Sequence, residues 1–153
     1  MKNKVLYILS LLLLSSNLFA QHIEQKDNKY YTSEGELYTG IYKEYFENGN
    51  LKLEASIKEG VYDGITILYF KSGNRKEQRA YREGKMDGTW INWNPNEVKI
   101  GLANYKDGKK HGEWKIWDDK GTLRYELFYN MGERTGTWVR YDDKGEVISE
   151  KSY

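Results

Sequence analysis

The chain has 153 residues, a size for one domain, with 15% aromatic residues and no cysteine. The absence of cysteine excludes disulfides, thiolate metal sites and thiol nucleophiles. The formal net charge of +1 falls to −1 without Lys2 and Lys4, which leaves 22 cations against 23 anions. A chain so balanced has no electrostatic case for nucleic acid, nor the basic cluster that draws protein to anionic lipid.

Residues 1–20 have the build of a secretory signal peptide. Lys2 and Lys4 precede an apolar run from Val5 to Leu14, and Ser15 to Ala20 supply a cleavage region ending in a small residue. The run is shorter than the roughly 20 residues that a membrane-crossing helix needs. The expectation is export, with cleavage after Ala20. Residues 21–32 are then a polar N-terminal segment, with Tyr30 and Tyr31 opening a cap.

From residue 33 to 153 a 24-residue period governs the chain. Gly40, Gly64, Gly88, Gly112 and Gly136 keep this step, as do Gly60, Gly84, Gly108 and Gly132. Tyr45, Tyr69, Trp93, Trp117 and Tyr141 keep it too, and so do Tyr81, Tyr105, Tyr129 and Tyr153. Ungapped spacing of this kind is one supersecondary unit copied along the chain. Four copies run from Ile57, Tyr81, Tyr105 and Tyr129, and a looser copy spans about residues 33–56.

The copy beginning at Tyr105 predicts a turn at Asp107-Gly108 and a strand over 113–117. A second turn over 118–121 and a strand over 122–129 complete it. The strands carry Trp, Tyr, Ile, Val and Leu, which suit a pleated surface, and glycine supplies the positive φ of tight turns. Contiguous hairpins predict an all-β, elongated single-sheet meander of about five 24-residue β-hairpin repeats. Period-2 alternation puts Trp90, Trp114 and Trp138 on one face, with Tyr42 and Thr66 in register. Tyr45, Tyr69, Trp93, Trp117 and Tyr141 fall on the other. The latter column is the candidate binding surface. The glycines of the Gly40 series and the three tryptophans are structural residues of the repeat. Valine at Gly112 should harm the fold more than alanine at His111, because glycine fills its position in every copy.

The motif carried by Gly88-Trp90-Trp93, Gly112-Trp114-Trp117-Gly121 and Gly136-Trp138-Tyr141-Gly145, with Tyr105, Gly108, Tyr129 and Gly132, resembles the MORN repeat variant of bacterial YwqK-type antitoxin-like proteins. The resemblance covers about residues 33–153. It implies repeated β-hairpins acting as a scaffold or binding surface without catalysis. The antitoxin name implies a partner toxin neutralised inside the cell, a setting from which this chain departs if the expected signal peptide exports it.

No constellation for an enzyme is present. His111 occupies a turn position held by Asp63, Asp87 and Thr135 elsewhere, and it reads as a solvated turn residue. Asp118-Asp119 and Asp142-Asp143 lack the spacing of a calcium loop and read as turn formers. The second copy is irregular at Asn94-Pro95-Asn96-Glu97, where the others have glycine. The expected function is an exported, non-enzymatic protein-binding or scaffold module with no cofactor and no metal. Two alternatives are a cell-envelope glycan-binding module that stacks sugars on its rings and an immunity protein that neutralises a partner toxin.

Overall fold

The computed structural model describes residues 22–153. The signal peptide expected over 1–20 lies outside the described residues. Every element among the described residues is a strand. In chain order they are β1 (Ile23–Lys26), β2 (Lys29–Thr32), β3 (Gly40–Tyr45), β4 (Leu51–Lys58), β5 (Val61–Tyr69), β6 (Arg75–Arg82) and β7 (Lys85–Met86). There follow β8 (Gly88–Trp93), β9 (Lys99–Lys106), β10 (Lys109–Lys110), β11 (Gly112–Trp117), β12 (Leu123–Asn130), β13 (Glu133–Tyr141) and β14 (Val147–Ser152). The main sheet is an antiparallel meander in sequence order, β3-β4-β5-β6-β8-β9-β11-β12-β13-β14, with β7 and β10 as short pairings onto β6 and β9. The all-β hairpin meander predicted from the period is the observed architecture.

The period has a hydrogen-bonding cause. At each outer turn the residue before the glycine takes positive φ, as at Glu59, Glu83, Asp107 and Met131. Its amide donates to a side chain 20 residues earlier: Thr39 Oγ1 at 2.9 Å, Asp63 Oδ2 at 3.0 Å, Asp87 Oδ2 at 3.0 Å and His111 Nδ1 at 3.4 Å. The glycine amide that follows donates to the carbonyl 22 residues earlier, from Gly60 to Tyr38, Gly84 to Tyr62, Gly108 to Met86 and Gly132 to Lys110. Successive turns are thus clipped together, and an insertion in any copy would break two clips. His111 is one of these clips.

A single row of ten rings runs across the sheet: Tyr42, Tyr30, Tyr62, Tyr81, Trp90, Tyr105, Trp114, Tyr129, Trp138 and Tyr153. Adjacent centroids lie 4.8–5.8 Å apart. That spacing is close to the distance between neighbouring strands, so each strand sets one ring against the next. Each indole N–H is satisfied by the carbonyl ten residues before it: Trp90 by Ala80, Trp114 by Asn104 and Trp138 by Phe128. The tryptophan series and the Tyr81 series, which the period keeps separate, interleave into one spine. Thr66 breaks the tryptophan series, and Tyr30 and Tyr62 carry the row across the break.

Tyr30 comes from β2. The β1–β2 hairpin lies outside the main sheet and docks through the Tyr30 amide onto the Gly60 carbonyl and through the Tyr38 amide onto the Tyr30 carbonyl. Tyr30, Tyr38, Ala55 and Ile57 form the buried core, with Tyr30 only 3% exposed. Its hydroxyl shares a 2.7 Å hydrogen bond with Tyr62, and burial pushes the Tyr30 phenol far above its ordinary range. Residues 23–32, polar in sequence, therefore cover the first end of the sheet by inserting one ring.

Candidate binding face and recess

The residues of the column singled out by sequence hold one place in successive hairpins. Tyr45, Tyr69, Trp93, Trp117 and Tyr141 end the strands β3, β5, β8, β11 and β13, each beside a β-bulge. Their strands are second neighbours, so the rings stand about 9.6 Å apart, two strand spacings. They do not stack on one another. Tyr45 is 60% exposed, and the other four are half-buried. Arg75 lies over Trp93 at 4.7 Å and Lys99 over Trp117 at 4.4 Å, so a cation covers one side of each indole. The Tyr141 hydroxyl donates to Glu126, which also pairs with Lys115 at 3.0 Å. Both contacts hold the Glu126 carboxyl below its ordinary range, the Tyr141 bond first.

The structural residues play distinct parts. Trp90, Trp114 and Trp138 are spine rings. Gly40, Gly64, Gly88, Gly112 and Gly136 all take positive φ, which side chains rarely adopt. At Gly88 a Cβ would also lie 2.9 Å from the Ala80 Cβ, whereas at Gly112 the nearest atom is 3.7 Å away.

Asp118 and Asp142 each accept two amides of their own turn on Oδ1, from Lys120 and Thr122 and from Lys144 and Glu146. These bonds hold both carboxyls below the usual range. Among the described residues no three His, Asp or Glu side chains converge as a metal set.

The feature that sequence reasoning missed lies on the spine face. Beside the ring row a second row crosses the sheet by strand pairing: Leu53, Leu68, Glu77, Asn92, Gly101, Ile116 and Tyr125. In its middle a recess of about 590 Å³ opens over Gly101. Its walls include Phe70, Trp93, Pro95, Ile100, Trp114 and Ile116. Trp93 is the one member of the predicted column that lines it. The signal was present in the sequence: Gly101 is off the 24-residue beat, where the other copies place Leu53, Glu77, Tyr125 and Ser149. Of the 15 glycines it is the only one without positive φ. Its backbone does not require glycine, so what glycine provides here is room.

The irregular second-copy turn forms one wall. Glu97 takes the positive φ, 62°, that Gly49, Gly73, Gly121 and Gly145 take in the other copies. Asn94, 6% exposed, accepts the Asn96 and Val98 amides and donates through Nδ2 to the Asp119 carbonyl at 3.0 Å. The turn carrying Pro95 is thereby tied to the next turn and held as a fixed wall.

A family model described as MORN repeat variant matches residues 38–59, 110–131 and 134–153, the segments that hold the hairpins β3–β4, β11–β12 and β13–β14. No curated protein matches the chain. The matched segments share their glycines, spine rings and turn clips with the hairpins between them, and the repeats of this chain are those of the MORN repeat variant family, which is not known as an enzyme family.

Proposed function

We propose that this chain is an exported, non-enzymatic module that binds a protein partner on its sheet. The observation that carries the proposal is the recess over Gly101. It is an apolar-walled hollow in the middle of a repeat array whose other copies fill the same place with side chains. Concave apolar sites with a few polar groups at the rim are the usual form of a binding site. Aromatic anchors in such pockets dominate protein–protein affinity. Export rests on the charged start and apolar run of residues 1–20.

The test is retention from envelope extract on immobilised protein, run beside binding to stripped cell wall. The expected result is one protein held at stoichiometric yield and lost on Gly101→Tyr, its identity deciding between a scaffold and an immunity role. Binding to bare cell wall that disappears on Trp117→Ala would replace this account with a glycan-binding one. The cations over Trp93 and Trp117 count against that outcome, since they occupy ring surface a sugar would need.

A further inference from the structure

Resting on the protein-binding proposal, we infer that the recess over Gly101 is an acceptor for a tyrosine side chain of the partner. The tyrosine sits in an extended segment with an acidic residue on one side and a basic residue on the other.

The repeat itself states what shape is missing. One copy later, Tyr125 occupies the place of Gly101 and pairs across the strands with Ile116. Ile116 is the same residue that flanks Gly101 from the other side. A ring entering over Gly101 would stand beside Ile116 as Tyr125 does, with Trp114 and Phe70 as further apolar walls. Asn92, which pairs with Gly101 across β8 and β9, sets an exposed amide at the floor as partner for a phenol hydroxyl.

The charges give the segment its direction. Lys76 lies on β6 and Asp119 just beyond β11, and both line the recess. The sheet order β6-β8-β9-β11 puts them at opposite sides of Gly101. Neither has an ion-pair partner among the described residues, whereas Glu77 is already held by Arg79 at 2.7 Å. An acidic residue of the partner meets Lys76 and a basic one meets Asp119.

The experiment uses the protein in solution with two probes, p-cresol and the peptide acetyl-Glu-Gly-Tyr-Gly-Lys-amide, followed by amide and indole NMR shifts. The expected result is saturable shifts at Asn92, Gly101, Ile116 and the Trp114 indole, abolished in Gly101→Tyr. Replacing the peptide tyrosine by alanine should abolish binding. Making both peptide ends acidic or both basic should weaken it by roughly two- to fivefold, the range of an exposed ion pair. At Gly101 an added Cβ meets the Asn92 side chain, with Nδ2 at 3.1 Å and Cβ at 3.4 Å, on a backbone without positive φ, so Gly101→Tyr should fold. Gly101→Leu, the residue of the first copy, is a second filling. Shifts spread over Tyr45 and Tyr69, absent altogether, or unchanged in both filled variants would overturn the acceptor. A natural partner held equally by wild type and Gly101→Tyr would also overturn it, while leaving the protein-binding module standing.

Discussion

Replacing Trp114 by alanine should cost far more stability than replacing Trp117, although the two residues are three apart on one strand. Trp114 is a spine ring, 5.1 Å from Tyr105 and 5.3 Å from Tyr129, and its indole donates to the Asn104 carbonyl at 3.0 Å. A fully buried tryptophan costs about 3–5 kcal/mol on truncation. Trp114 is half-buried, which brings the burial part to about 2 kcal/mol. Two ring pairs at roughly 0.5 kcal/mol each and the orphaned Asn104 carbonyl bring the total to about 3–4 kcal/mol. Trp117 has no ring neighbour among the described residues, and its Lys99 contact is worth about 0.5–1 kcal/mol at an exposed site. With partial burial added, about 1–2 kcal/mol is expected for Trp117. For a domain of this size, differential scanning calorimetry should then show Trp114→Ala melting about 10 °C below wild type and Trp117→Ala about 3–6 °C below. Equal losses, or a larger loss at Trp117, would refute the assignment of the spine to the Trp114 face.

Gly88→Ala should destabilise more than Gly112→Ala, because both sites force a left-handed side chain at about 1–2 kcal/mol but only Gly88 adds a clash with Ala80. Chemical denaturation of the pair measures the difference, with His111→Ala, which loses one long hydrogen bond, below both. Glu126 has a lowered carboxyl, so its stabilisation is present above the unfolded value of about 4.3 and lost as pH falls through the folded one. Glu126→Gln should therefore melt below wild type at pH 7, and the gap should close as the medium is acidified below about pH 4. Tyr30, Tyr42 and Tyr105 have raised phenols, with burial the main cause in each. Their stabilisation is complete below the unfolded value of about 10 and is lost as pH rises beyond it. Ultraviolet titration should show a tyrosine fraction that ionises only as the fold is lost, and Tyr30→Phe should shrink it.

The glycine period and the strand alternation made the meander legible, because turns and pleats are local. The single spine was not. Alternation tells which face Trp90 and Tyr105 occupy within their own strands. The pairing of Gly88 with Tyr105 and Trp90 with Ala103, which sets the rings diagonally together, is a cross-strand register. Tyr30 enters from a polar segment outside the repeat, so no periodicity could place it. Gly101 was hidden among turn glycines, since composition does not separate a glycine needed for φ from one needed for space. The wall of the recess was partly visible, as the one copy whose inner turn lacks glycine. That turn and Gly101 belong to the same copy, and only the fold brings them to one hollow.

The most direct measurement is hydrogen–deuterium exchange of the protein alone and with its captured partner. Binding in the recess predicts slowed exchange over residues 92–103 and 114–119, with β3 and β14 unchanged. Protection confined to β3 or β14, or to the turns joining the outer clips, would contradict it and move the function to an edge of the sheet.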